Sequence, residues 1–172
     1  AAPYPIASAG GVLRILVTGG SQGARLFGEV TPEAVALLPP DVRARIEITQ
    51  QAREEQVAAV RKRYQALGVK AEVEPFFKDM GKRLAATHLV IARAGASTVT
   101  ELQAAGRPSI LIPLAIAADD HQTANAEALT GIGAADAIPE FDFMAARLAD
   151  VLGRRLADPH DLSVRAGIAK AS

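Results

Sequence analysis

Short aliphatic runs alternate with helix-patterned segments along almost the whole of this 172-residue chain, and that alternation restricts the fold more than any other feature. "LRILVTGG" (Leu13–Gly20) reads as a buried strand ending in glycines, followed by helical "ARLFGEVTPEAVALL" (Ala24–Leu38), which Pro39 and Pro40 close. "ARIEITQ" (Ala44–Gln50) is a second strand, and "EEQVAAVRKRYQAL" (Glu54–Leu67) an amphipathic helix stopped by Gly68. The pattern continues with strand "KAEVEPF" (Lys70–Phe76), short helix "KDMGKRLAAT" (Lys78–Thr87), strand "HLVIAR" (His88–Arg93) and helix "STVTELQAAG" (Ser97–Gly106). A fifth strand, "SILIPL" (Ser109–Leu114), precedes a helix from about Asp120 to Leu129. "GAADAIP" (Gly133–Pro139) fits a sixth, and "FMAARLADVLGRRLA" (Phe143–Ala157) a last long helix before a short tail. Strands separated by single helices need right-handed crossovers, which bury a parallel sheet between two helical layers. The expected fold is therefore α/β, a doubly wound, Rossmann-like parallel sheet.

In such sheets ligands sit beyond the carboxyl ends of the strands. The candidate loops are thus Gly19–Gly23, Gln50–Arg53, Phe76–Asp79, Arg93–Thr98 and Pro113–Gln122. The first, within "TGGSQGA", is a glycine-rich strand-to-helix turn of the kind that offers backbone N–H groups to a phosphate. It is neither G-x-G-x-x-G nor a P-loop, and "ITQQA" lacks the acid that a nicotinamide ribose calls for at the second strand end. "RAGASTVTE" (Arg93–Glu101) is a second such loop, where Ser97 and Thr98 are placed to cap the following helix. Glu101, read as lying in the first helical turn, can accept hydrogen bonds from the vicinal hydroxyls of a ribose. "AADDHQTANAE" (Ala117–Glu127) crowds His121, Gln122 and Asn125 at a helix start, with Asp119 or Asp120 as its cap. These are the mixed donors and acceptors that sugar hydroxyls require. Phe76 and Phe77 end the third strand, as core residues or as brackets for a flat base. Each loop alone has an ordinary structural explanation; together they point to a nucleotide sugar.

Composition removes other classes. Nineteen basic residues balance nineteen acidic ones, which speaks against nucleic acid as a partner. With no Cys there are no disulfides, thiolate metal sites or Cys nucleophile. No D-x-D pair offers itself to a divalent cation, so no metal or other cofactor is expected in the site. No uncharged apolar run approaches the ~18 residues of a membrane span, which predicts a soluble chain. The start, "AAPYPIASAGG", is an uncharged Pro/Ala/Gly-rich lead-in (residues 1–12) that reads as linker, with one domain over residues 13–172. The chain reads as a piece of a longer protein.

"GGSQGA", "PFFKDM", "RAGASTVTELQAAGRPSILIPL" and "ADDHQTANA", in this order and spacing, resemble the C-terminal, donor-binding domain of the MurG family of peptidoglycan glycosyltransferases. The resemblance runs from about Leu13 to the end. It implies one half of a GT-B architecture and transfer of N-acetylglucosamine from its UDP donor to the lipid-linked muramyl-pentapeptide, lipid I, giving lipid II. It further implies that Gly20, Ser21 and Gln22 contact the diphosphate, with Ala96, Ser97 and Thr98 forming a second phosphate-facing loop. Glu101 would bind the ribose. Phe77, beside Phe76, would read the uracil edge through its backbone, and His121 and Gln122 would face the sugar hydroxyls with Asn125 close by. The catalytic base, the lipid I contacts and most of the membrane association belong, in that family, to an N-terminal acceptor domain with no counterpart here. No catalytic residue is therefore expected in this chain. The full-length protein would be peripheral on the cytoplasmic face of the bacterial inner membrane. Where the family carries an HQTG-like segment, this chain has "QQAR" (Gln50–Arg53). A UDP-N-acetylglucosamine 2-epimerase-like domain, which needs acid/base carboxylates in its cleft, and a stand-alone nucleotide-sugar-binding module are the rival readings.

Overall fold

The computed structural model describes residues 2–115 and 121–172, and of residues 20–24 the backbone alone. In chain order it contains β1 (Leu13–Thr18), α1 (Gly20–Ala36), α2 (Pro40–Arg43), β2 (Ile46–Gln51), α3 (Val57–Ala66), β3 (Lys70–Glu74) and α4 (Met80–Ala86). Then follow β4 (Leu89–Ala92), α5 (Ala96–Ala105), β5 (Ser109–Leu111), α6 (His121–Thr130), β6 (Ala135–Ala137), α7 (Ala145–Leu156) and α8 (Pro159–Ala171). The strands form one six-stranded sheet in the order β3-β2-β1-β4-β5-β6, and every neighbouring pair is parallel. This is the doubly wound α/β sheet that the alternation predicts.

The centre of the sheet explains the aliphatic runs. All four residues of β4 are buried, as a parallel strand covered on both faces requires. Ile15, Val17, Ile46, Ile48, Leu89 and Ile91 face α1, α3 and α7, where Phe27, Val35, Tyr64, Leu148 and Leu152 fill the layer. Leu16, Val90, Ala92 and Leu111 face the opposite layer, built on Val99 and Leu102 of α5, Ala126 and Leu129 of α6, and Ala169 of α8. Each such large side chain contributes roughly 1.5–3 kcal/mol by leaving water. The second layer thins over β2 and β3. Glu47, Thr49 and Glu72 there line a polar recess of about 170 Å³ with Arg14 and Arg83, and Arg83 pairs with Glu72 at 2.8 Å.

Two expectations are corrected at the level of elements. The tail after Ala157 is not short and loose but the 13-residue helix α8. Asp158 caps it by accepting from the Asp161 N–H at 3.0 Å, Pro159 occupies its first turn, and Leu162, Ala166 and Ala169 are buried. The first helix begins four residues earlier than the periodicity indicates and ends at Ala36, while Pro40 starts α2 instead of closing α1.

The amino-terminal segment lies against the sheet's amino edge. The Tyr4 hydroxyl donates to His88 O at 2.8 Å, and Arg107 Nη2 donates to Pro3 O at 3.3 Å. Arg107, only 1% exposed, places its guanidinium among carbonyls: Leu84 and Ala85 at the end of α4, and Ala105 and Gly106 at the end of α5. Gly106 closes α5 at φ 68°, and a Cβ there would lie 2.8 Å from Lys170 Cβ, so both backbone and packing demand glycine.

Candidate functional site

The order of strands reverses between β1 and β4, whose carboxyl ends are level, with Thr18 opposite Ala92. A crevice at this switch point is where a doubly wound sheet receives its ligand. The helices leaving these strands are α1 and α5. Both have glycine at the N-cap, Gly19 and Gly95; neither has a side-chain cap bond, and neither has an acidic residue in its first turn. Two helix amino termini therefore open side by side with their first amides unclaimed by a capping side chain. That is an anion-binding arrangement.

This geometry corrects the expected role of Ser97 and Thr98. They do not cap α5, because the helix already begins at Ala96; with Ala96 they form its exposed to half-exposed first turn. Glu101 is correspondingly one turn deeper, the sixth residue of the helix rather than in its first turn. It is exposed and lines a groove of about 480 Å³ between α4 and α5, shared with Met80, Gly81 and Leu84. Met80 and Gly81 directly follow the Phe76–Asp79 loop, so the fold brings Glu101 beside that loop. Within the loop the two aromatics part company. Phe76 is 70% exposed, while Phe77 is buried beneath the Arg83 guanidinium, which stands 4.4 Å from its ring centroid. Arg83 is itself held by Asp79 at 2.8 Å, and the hydrogen bonds from Arg83 keep the Asp79 carboxyl below its usual range.

Gly20, Ser21 and Gln22 occupy the first turn of α1, and their side chains lie outside the description, as do Asp119 and Asp120. His121 begins α6 and is exposed. Gln122 and Asn125 reach back to the Arg93–Thr98 loop. Gln122 Oε1 accepts from Ala94 N–H at 3.1 Å and Leu114 N–H at 2.8 Å, and Asn125 Nδ2 donates to Ala94 O at 3.0 Å. Gln50 is not a loop residue: it lies fully buried inside β2, donating to Phe27 O and accepting from the Tyr64 hydroxyl at 2.5 Å. Gln51 at the strand end accepts from Thr18 Oγ1 and donates to Pro75 O, tying the ends of β1, β2 and β3 together.

Sequence reasoning passed over Arg93. Though it opens the second loop, it is buried at 8% exposure, with Nη1 2.6 Å from Glu140 and 3.3 Å from Ile112 O, and its guanidinium stands over Phe27 of α1. It ties the loop to the neighbouring strand end and to the first helix. An arginine closing an aliphatic strand, where a charge is costly to bury without partners, is the signal that marks it.

A family model described as the glycosyltransferase family 28 C-terminal domain matches residues 14–171. The chain belongs to this family. The UDP-N-acetylglucosamine–N-acetylmuramyl-(pentapeptide) pyrophosphoryl-undecaprenol N-acetylglucosamine transferase of Rhodospirillum centenum is 55% identical over 169 residues, covering 98% of this chain and 45% of the relative. The transferase of the same name from Maricaulis maris is 50% identical over 170 residues, 99% of this chain and 46% of the relative. The family 28 domain thus spans less than half the length of these curated relatives. The crystal structure of Acinetobacter baumannii MurG superimposes with a TM-score of 0.84 at 35% identity, covering 97% of this chain and 49% of that one. The glycosyltransferase WaaG, at 21% identity and a TM-score of 0.68, shares the fold. These relationships agree with one half of a GT-B glycosyltransferase, as the motifs imply. Among the described residues no helix is long and apolar enough to cross a membrane.

Proposed function

We propose that this chain is the donor-binding half of an enzyme that transfers N-acetylglucosamine from UDP-N-acetylglucosamine to lipid I, the lipid-linked muramyl-pentapeptide, forming lipid II at the cytoplasmic face of the inner membrane. The observation that carries the reading is the pair of uncapped helix amino termini at the β1/β4 switch point. A diphosphate bridging them meets the positive ends of α1 and α5 and backbone amides from both first turns, through Gly20, Ser21 and Gln22 on one side and Ala96, Ser97 and Thr98 on the other. Glu101 takes the ribose hydroxyls from the α4/α5 side, and the uracil lies against the Phe76–Phe77 backbone. His121 and the Gln122 amide N–H group face the sugar.

The same contacts serve the reaction. When the anomeric bond breaks, negative charge grows on the departing UDP, and donors already oriented toward it stabilise that charge without reorganising. In this proposal no metal ion is required, because the helix ends take its place. The base that deprotonates the acceptor hydroxyl comes from the other half of the enzyme. Calorimetric titration tests the reading: UDP-N-acetylglucosamine should bind and NAD should not, since no carboxylate closes β2 to hold a nicotinamide ribose. NAD binding as tightly as the sugar nucleotide would overturn it.

A further inference from the structure

Both polar backbone groups of Ala94 are held by side chains of α6. Beyond the end of β4, this fully buried residue has left the ladder that served Ala92, whose carbonyl still accepts from Ile112 N–H at 2.8 Å. Gln122 takes its N–H and Asn125 takes its C=O. The two side chains are three residues apart, on one face of α6, as a shared target requires. Gln122 Oε1 also accepts from Leu114 N–H, so both lone pairs of that oxygen are engaged and the loop after β5 is bound into the same knot. One residue before, Arg93 is fixed by Glu140 and Ile112 O. One residue after comes Gly95, the N-cap of α5.

Building on the donor-binding reading above, we infer that Asn125 and Gln122 are positioning residues: they hold the Ala94 peptide so that the first-turn amides of α5 stay aimed at the diphosphate, and Asn125 does not act through the sugar. The Ala94 peptide has no ladder partner at this point, and without these side chains its N–H and C=O would be buried and unpaired. The loop would then turn to find partners, carrying the Gly95–Thr98 amides with it.

Three ligands separate this role from others. Uridine samples the base and ribose pocket, UDP adds the diphosphate, and UDP-N-acetylglucosamine adds the sugar. For Asn125→Ala, and for the isosteric Asn125→Asp, which sets a carboxylate against the Ala94 carbonyl, UDP and UDP-N-acetylglucosamine affinities should fall together by about tenfold, roughly one hydrogen bond's worth. Uridine affinity should stay within about twofold, because no uridine contact depends on the Ala94 peptide. Loss confined to UDP-N-acetylglucosamine would overturn the inference in favour of a direct sugar contact. An equal loss for uridine would overturn it in favour of a general structural role. A wild-type chain that binds none of the three would instead sink the donor-binding reading itself. Hydrogen exchange on the wild type gives an independent check should the variants fold poorly. The Ala94 amide should be protected like a strand interior while the Ala96–Thr98 amides exchange fast and slow down when UDP is added; rapid exchange at Ala94 would overturn the proposal.

Discussion

Glu101 stands exposed beside the Phe76–Asp79 loop with no ion-pair partner recorded for it among the described residues. A carboxylate in that position is available to a ribose. Glu101→Ala should therefore weaken UDP binding by about 1.5–3 kcal/mol, the range for a hydrogen bond to a charged group. The check is a double cycle with a deoxyribose analogue, in which the variant should show little further loss; full additivity would mean that the carboxylate does not touch the ribose. His88, at the opposite edge of the sheet, bears on stability instead. Its Nδ1 accepts from the Arg14 N–H at 2.9 Å, and burial, reinforced by the charges of Arg14 and Arg107, lowers its pKa below the ordinary 6.5. The folded chain therefore keeps this imidazole neutral where the unfolded chain takes up a proton. The unfolded state binds more protons just below pH 6.5, so stability is full above that value and declines as the pH falls through it toward the lowered folded pKa. Urea midpoints measured from pH 7 down to about pH 5 should drop, and His88→Gln, which keeps an acceptor but cannot titrate, should flatten that drop.

Among the elements, α5 carries the clearest prediction. Its N-cap, Gly95, has φ −62° and ψ 152°, angles open to any residue, and a Cβ there would meet only Gln122 Nε2 and Thr98 Oγ1, both at 4.0 Å. Neither the backbone nor the packing needs a glycine; close approach of a ligand to the helix end does. Gly95→Ala should leave the thermal midpoint unchanged or slightly higher, since the unfolded chain loses freedom, yet weaken UDP binding by about tenfold or more. Equal binding by the variant would mean that no ligand reaches this end of α5. The strands and most helices were legible in advance because a parallel strand covered on both faces leaves an unbroken aliphatic run, as "LVIA" does at Leu89–Ala92. The exact helix starts were not. A Gly-Ala-Ser-Thr stretch fits either a Ser cap or a Gly cap, and the one-residue difference moved Glu101 out of the first turn. Helix α8 escaped because its inward face is mostly alanine, which marks no stripe, although Asp158, Pro159 and Asp161 were a readable start. The polar cluster at α6 was visible as residue types, whereas the direction of Gln122 and Asn125 was not: spacing tells which side chains share a face, and only the fold tells what that face meets.

Considered whole, the molecule is a donor site with one wall. Transfer needs an acceptor hydroxyl aligned with the anomeric carbon and a base within reach of its proton, and the chain covers less than half of its full-length relatives. Given labelled UDP-N-acetylglucosamine and a lipid I analogue, the chain alone should bind donor without turnover, and activity should return on mixing with a separately expressed acceptor half. Turnover by the chain alone would refute the assignment of the base to that other half. The Arg107 knot bears on the site from the far edge of the sheet. A helix is a dipole, and the influence of a dipole fades quickly because its two poles oppose one another. With a guanidinium seated on the terminal carbonyls of α5, the negative pole is already answered. What α5 presents at Gly95 is then closer to a lone positive pole, whose pull on an approaching diphosphate extends further than that of a free helix.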